Sequence, residues 1–351
     1  MRTLPPYSEM VRAAMRRDRD YDGVFFIAVR TTGVFCRLGC PARLPRPENV
    51  EFFPTPDAAQ RAGYRACRRC RPLEPSDATP EWIAPLLQRL GSAGGAPLRD
   101  RDLRARGIDP ARARRFFRRR YGTTFLAYAR GRRIGRALDQ LKKGSRMIQA
   151  ALDAGYQSPS GFSAAVSRLV GRRPARHAVA LATQLLDSPL GPLLAAFREN
   201  RLAALEFVAG RVMKTFLAEL GARFDAAVVP GTGPHFDRLR IQMGEYFTGQ
   251  RTRFNLTLAE TGTPFQRRVW NALCEIPYGQ TRSYRDIARR VGSPAAVRAV
   301  GQANGRNPIA IVVPCHRVVN ADGSLGGYGG EPWRKRFLLD LEQSTLNATR
   351  A

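Results

Sequence analysis

Long apolar runs are missing from this 351-residue chain. No stretch approaches the ~18–20 consecutive apolar residues that cross a bilayer, so no transmembrane helix and no membrane partner are expected. Met1 to Asp20 is charged and lacks the apolar stretch of a secretory leader, so none is expected there. Acidic residues are scarce: 29 Asp and Glu stand against 58 Lys and Arg, leaving a net charge of +29. That imbalance points to a polyanionic partner. It is uneven, with more than half of the excess falling between residues 81 and 182. Cysteine is sparse too, and four of the six form a tight pattern. This argues for metal binding or catalysis in a reducing cytosol rather than a disulfide framework. An apolar content of 44% excludes disorder by composition, and the length allows two or three domains.

The most chemically suggestive stretch runs from Ile311 to Val319, Ile-Val-Val-Pro-Cys-His-Arg-Val-Val. Two β-branched runs flank its Pro-Cys-His-Arg core, so a strand leading into a turn that presents Cys315 beside His316 is expected. A thiolate is the nucleophilic form of cysteine and needs a base or positive charge nearby. By itself the pair leaves open a hydrolase dyad or an inert packed cysteine. Asn307-Pro308 lies just upstream, glycines surround Tyr328 downstream, and Glu342 closes a helical stretch from Phe337. Cys274, His177 and His235 have no candidate partners and are expected to be structural or surface residues.

Near the amino terminus, Cys36-x3-Cys40 and Cys67-x2-Cys70 can close one tetrahedral zinc site, since each short loop turns two sulfurs toward a common centre. Spacing alone leaves a purely structural zinc knuckle open. Pro72, Pro75 and Pro80 mark a linker. A helix over 81–90 and a break from Gly91 to Pro97 follow. Helices are then expected at 98–106, 111–121, 147–154 and 160–169, paired as two helix-turn-helix units with turns at Gly107 and Gly155. Gly122 and Gly171 follow the second helix of each unit. The Arg run 112–120 reads as a phosphate-contacting face, or else as a solvated one. Residues 185–210 alternate short apolar runs with turns and are expected to form a β-hairpin that opens a small α/β lobe reaching about Leu258. Thr263-Pro264 starts a helix, and Ser283–Val291 and Pro294–Ala303 form another helix-turn-helix about Gly292-Ser293.

Three resemblances organise these signals. Residues 29–37 and 65–70 resemble the amino-terminal domain of the Ada family, which implies one zinc ion on Cys36, Cys40, Cys67 and Cys70. It also implies that Cys36 accepts a methyl group from a methylphosphotriester, with Arg37, Arg43, Arg65, Arg68 and Arg69 on the phosphates. Pro41, Pro45 and Pro47 depart from the family pattern. Ala154-Gly155-Tyr156-Gln157-Ser158-Pro159 resembles AraC-type activators, although Ala164, Ala165 and Val166 replace the usual basic and aromatic residues of the second recognition helix.

Residues 261–342 resemble O6-alkylguanine-DNA alkyltransferases. That resemblance implies Cys315 as acceptor, His316 as a base acting through water, Glu342 orienting it and Asn307 holding the turn. Arg298 would enter the duplex, Tyr284 would turn the nucleotide out, and Tyr328 would contact the base. Gly329 stands where serine is common. Together the resemblances imply a multidomain α+β protein. It would comprise a small zinc-binding α/β domain (1–76), an all-α tandem helix-turn-helix domain (77–182), a ribonuclease-H-like α/β lobe (183–260) and a winged-helix-like catalytic core (261–351). The implied activity is single-turnover transfer of alkyl groups from DNA to cysteine, with methylated Cys36 activating transcription. A regulator with a structural zinc site and repair only at Cys315 is the alternative. Alkylated and promoter duplex DNA and RNA polymerase are the implied partners, for a cytoplasmic monomer.

Overall fold

The computed structural model describes all residues except 1–3, 19–20, 74–80, 84, 88–98, 122, 143, 171–179, 209–212, 329–330 and 351. Pro75, Pro80, the break from Gly91 to Pro97, Gly122, Gly171, His177 and Gly329 thus lie outside the described residues.

The amino-terminal unit begins with helix α1 (Tyr7–Arg16), whose Met10, Ala13 and Ala14 fall on one buried face. Strands β1 (Phe26–Val29), β2 (Val34–Cys36), β3 (Val50–Phe53) and β4 (Arg65–Ala66) form a sheet ordered β3-β1-β2-β4. Helix α2 (Pro56–Arg61) is capped by Thr55, which accepts from the Ala58 N–H. β2 and β4 are parallel, with Phe35 opposite Ala66. Cys36 and Cys67 therefore follow paired residues, so the sheet itself brings the two cysteine pairs together.

In the middle unit, helices α3 (Asp100–Arg104), α4 (Pro110–Tyr121), α6 (Met147–Asp153) and α7 (Pro159–Val170) lie close to the expected positions. Gly107 and Gly155 take φ of +68° and +75° at the two turns, a region that favours glycine. The 18-residue helix α5 (Phe125–Lys142) joins the two units and has no counterpart in the sequence reading. Of the helix expected over 81–90, residues 85–87 are helical and 81–83 form a turn.

The lobe carries β5 (Ala180–Leu186), β6 (Leu193–Arg198), β7 (Arg201–Phe207), helix α8 (Met213–Phe224), β8 (Ala227–Pro230) and helix α9 (Pro234–Phe247). Its sheet is ordered β7-β6-β5-β8, with the expected β6–β7 hairpin at one edge and β8 parallel to β5 at the other. Ala227 and Val229 of β8 share an apolar cluster with α5, α6 and α7, so the helix-turn-helix unit packs on the lobe.

The last unit has α10 (Pro264–Cys274), β9 (Arg282–Ser283), α11 (Tyr284–Arg290), α12 (Val297–Gly305), β10 (Val318–Val319) and α13 (Pro332–Arg350). Thr263–Gln266 and Ser283–Asp286 capping boxes open α10 and α11; each such cap stabilises a helix by about 1 kcal/mol. Two expectations need correction. Helix α12 starts at Val297 rather than Pro294. Residues 311–313 are a turn and not a strand, despite their β-branched side chains. Ile311 takes φ +71°, and the N–H groups of Val312, Val313 and Cys315 bond to carbonyls only two to four residues back. That local bonding leaves no ladder for a neighbouring strand, and burial of Ile311 and Val313 explains their apolar character. Among the described residues no helix is long and apolar enough to cross a membrane.

Candidate active sites

Cys315 opens a single 3-10 turn, Cys315–Arg317, and is buried. Asn307 shapes the approach: its Oδ1 accepts from the Ile309 N–H at 3.0 Å and its Nδ2 donates to the Val313 carbonyl at 2.8 Å. The same Nδ2 lies 3.1 Å from the Cys315 sulfur. Asn304 of α12 donates to the Cys315 carbonyl at 3.3 Å. The turn is thus tied to the end of α12 by two side-chain amides.

His316 and Glu342 are fully buried and lie 2.9 Å apart, Nε2 to Oε1. Glu342 also accepts from Arg317 Nε at 3.0 Å and Nη2 at 2.9 Å, from the Tyr246 hydroxyl at 2.7 Å, and from the Gly279 N–H at 2.9 Å. Burial works to raise this carboxyl, but the His316 and Arg317 hydrogen bonds outweigh it and hold Glu342 at about 2. Burial pushes His316 down despite Glu342. The imidazole is therefore neutral at pH 7 and donates its Nε2–H to Glu342. Its Nδ1 is left as the acceptor, buried and without a hydrogen-bond partner among the described residues. The Cys315 thiol is raised by burial, against the lowering effect of Asn307 and Lys335. At rest the site is a thiol near a neutral imidazole. A proton must move before the sulfur can attack.

Lys335 is also buried, donates to the Val318 carbonyl at 2.5 Å, and is lowered to about 8 by burial. Its Nζ lies 5.9 Å from the Tyr284 ring centre. Tyr284, the first residue of α11, packs where a side chain at Gly326 would approach to 3.2 Å, and its hydroxyl faces the Gly327 carbonyl at 3.5 Å. The Tyr328 hydroxyl is buried with no partner among the described residues. Arg298 is exposed in the first turn of α12. Cys274 is exposed, and His235 packs against Phe197 and Phe236.

The sequence reading missed Arg317, Tyr246, Asn304 and Lys335. Arg317 stands inside the Pro-Cys-His-Arg motif, but nothing there assigns it to Glu342. Lys335 is seven residues before Glu342 in one helix, two turns away on the same face; that spacing is a readable signal.

The second site lies at the other end of the chain. The sulfurs of Cys36, Cys40, Cys67 and Cys70 are all within 4.8 Å of one another, and Cys40 and Cys67 are 3.9 Å apart. Four sulfurs at ~2.3 Å from a tetrahedral zinc ion sit about 3.8 Å apart. The donor set and its convergence fit zinc. The Arg37 N–H points at the Cys70 sulfur, 3.4 Å away. As bare thiols the four cannot all ionise: the bond to Cys70, then burial, pushes Cys36 up, burial raises Cys40 to about 11, and Cys70 is held at about 6 by the bond it accepts. A cavity of about 580 Å³ adjoins Cys36, lined by Val34, Leu44, Arg43 and Arg65 among others. Arg43, Arg65 and Arg68 are exposed at or beside it.

Four family models match the chain. Residues 9–73 match the metal-binding domain of Ada, and 104–178 a helix-turn-helix domain. Residues 181–259 match the ribonuclease-like domain of 6-O-methylguanine DNA methyltransferase and 264–344 its DNA-binding domain. The Escherichia coli bifunctional transcriptional activator/DNA repair enzyme Ada is 34% identical over 94% of this chain and 95% of its own length. A methylated-DNA–protein-cysteine methyltransferase of Methanosarcina barkeri is 44% identical over 46% of this chain and 97% of its own. Among solved structures, Mycobacterium tuberculosis OGT in complex with DNA is 47% identical over 48% of this chain and 94% of its own, with a TM-score of 0.40.

Proposed function

The chain belongs to the Ada family of bifunctional transcriptional activators and alkyl-transfer DNA repair enzymes, and we propose that it carries two acceptors, Cys315 for O6-alkylguanine and Cys36 for methylphosphotriesters. It binds DNA, transfers alkyl groups from DNA to its own cysteine and holds zinc. The observation carrying the assignment of Cys315 is His316 directly after it, paired in the interior with Glu342 of α13, with Asn307 Nδ2 3.1 Å from the sulfur.

The damaged guanine must leave the base stack, because a protein sulfur cannot reach its oxygen inside the duplex. Arg298 fills the space it leaves, Tyr284 turns it out and Tyr328 contacts it. The Cys315 proton then passes through a water to His316 Nδ1, and Glu342 stabilises the imidazolium that forms. The sulfur attacks the alkyl carbon in line. As the S–C bond forms the C–O6 bond breaks, the oxygen keeps the electron pair, and a proton returns to give ordinary guanine. The thioether is stable, so Cys315 acts once.

At the amino-terminal site, Cys36, Cys40, Cys67 and Cys70 hold zinc, which when bound keeps the sulfurs as thiolates at neutral pH. Cys36 takes the methyl group and the phosphotriester leaves as a phosphodiester anion. Arg43, Arg65 and Arg68 contact neighbouring phosphates. The site's formal charge of about −2 becomes about −1 on methylation, and weaker repulsion raises affinity for promoter DNA. Residues 1–76, 77–182, 183–260 and 261–351 are the working domains of a cytoplasmic monomer that recruits RNA polymerase when switched on.

The test is peptide mass spectrometry after incubating zinc-loaded protein with duplex DNA carrying both lesions. One methyl on the Cys36 peptide and one on the Cys315 peptide are expected. Methyl on Cys315 alone would leave the zinc site structural, and methyl on neither would overturn the reading.

A further inference from the structure

The zinc-binding unit packs against the alkyltransferase part of the chain. Met10, Ala13, Val24, Phe25 and Leu38 belong to the same apolar cluster as Leu190, Leu193, Cys315 and Trp333. Leu38 lies between the ligand residues Cys36 and Cys40, so the zinc loop itself contributes to this shared core. At its edge the Tyr21 ring stacks on Trp333, with centres 5.7 Å apart and planes at 22°. Tyr21 is fixed from its own side by a 2.5 Å hydrogen bond to Glu9 and by the Phe25 ring.

Trp333 opens three consecutive anchors in the first turn of α13. Arg334, next in sequence and buried, donates to the Leu190 carbonyl at 2.8 Å, with its guanidinium 4.6 Å from the Phe207 ring and 4.9 Å from Trp333 itself. Lys335 follows, bonded to the Val318 carbonyl beside the Cys315 turn. Further along the same helix comes Glu342. The turn thus ties the zinc-binding unit, the lobe and the active-site strand together through adjacent side chains. Its start is strained: Glu331 takes φ +77°, which a non-glycine residue holds only when its surroundings over-determine it. The Tyr21 ring packs on Trp333, two residues further on.

We propose that Tyr21, a residue of the zinc-binding unit, is a positioning residue for alkyl transfer at Cys315, acting through Trp333 on the first turn of α13. The inference rests on Cys315 being the acceptor. It makes the alkyltransferase site of this chain dependent on a neighbour in another domain.

The test uses the full zinc-loaded chain and measures methyl transfer to the Cys315 peptide from an O6-methylguanine duplex. Transfer to Cys36 from a methylphosphotriester duplex is the internal measure that the zinc-binding unit is folded. Tyr21→Ala is expected to slow Cys315 about fivefold, the scale of one aromatic pair, and to leave Cys36 within about twofold. Tyr21→Phe keeps the ring and should restore the wild-type rate. In a Trp333→Leu background, Tyr21→Ala should cost nothing further.

Equal Cys315 rates in wild type and Tyr21→Ala would overturn the inference while leaving the acceptor assignment intact. So would an equal loss in Tyr21→Phe, which would assign the effect to the hydroxyl. A wild-type chain unreactive at Cys315 would overturn both readings. If Tyr21→Ala loses Cys36 transfer through unfolding, Tyr21→Leu, which keeps apolar volume without a ring, is put through the same comparison with the same outcomes.

Discussion

Cys36 and Cys315 are about equally buried, at 8% and 6% exposure, yet their surroundings have little in common. Cys36 is one of four sulfurs brought together by two short loops and a pair of parallel strands. On the proposed reading, its reactivity is a property of a charged cluster assembled within a few dozen residues. Cys315 is a single sulfur at the end of a relay whose members come from α9, α12, the 3-10 turn and α13. On the proposed reading, its reactivity depends on a proton path rather than a standing charge. A cluster is broken by removing its centre, whereas a relay is broken by removing any member that fixes a tautomer.

Removing zinc should separate the two most widely. Structural zinc supplies about 10–16 kcal/mol to small thiolate domains, more than a domain of this size can lose. After chelation, methylation of Cys36 should disappear, with loss of folded signal from the amino-terminal unit. Cys315 should keep reacting, slowed by no more than about tenfold through loss of the Tyr21 contact. Peptide mass spectrometry before and after chelation checks this. Equal loss at both cysteines would mean that the two sites are not independent.

Glu342→Gln should do the reverse. The carboxylate that fixes the His316 tautomer and charge-stabilises the imidazolium would be gone, and such replacements cost about 10⁴ in rate in comparable relays. Arg317 would also lose its buried counter-charge, a loss of about 3–5 kcal/mol, readable by urea unfolding. Cys36 should be unaffected. The wild-type pH dependence sharpens the point. Glu342 is held at about 2, below its usual 4.5. Its contribution of about 3 kcal/mol is therefore complete above pH 4.5 and lost as pH falls toward 2. His316 is held below 6.5, so the unfolded chain takes up that proton first and stability declines from about pH 6.5 downward. Urea unfolding across this range should show the decline in wild type, and the part below pH 4.5 should be smaller in Glu342→Gln, with the Asp carboxylates that are also lowered still contributing.

This contrast also explains what could be read from the sequence. The cysteine cluster was legible because its ligands are near neighbours whose spacing encodes their geometry. The helix-turn-helix units were legible through Gly107 and Gly155, which mark turns at positive φ. Cys315, His316, Asn307 and Glu342 could be named by resemblance, but Tyr246 and Arg317 could not be joined to Glu342, because 96 and 25 residues separate them from it. The apolar run 311–313 misled because burial and strand pairing select the same residue types. Helix α5 went unread because its arginines and Gly131 and Gly135 dilute the apolar periodicity.

Those two glycines carry the smallest expected effect. They face β8 of the lobe: a Cβ at Gly135 would lie 2.9 Å from Val229 Cγ2, and one at Gly131 would lie 3.0 Å from the Pro230 ring. Helix and strand therefore approach more closely than side chains permit. Gly135→Val should overpack the contact, with a loss of about 1–3 kcal/mol seen as an earlier thermal transition. Neither acceptor is tied to this interface by any contact described above, so both methyl transfers should stay within about twofold of wild type. A fall at Cys315 alone would extend its relay across the lobe to the helix-turn-helix unit, making the buried sulfur sensitive to two neighbouring domains rather than one.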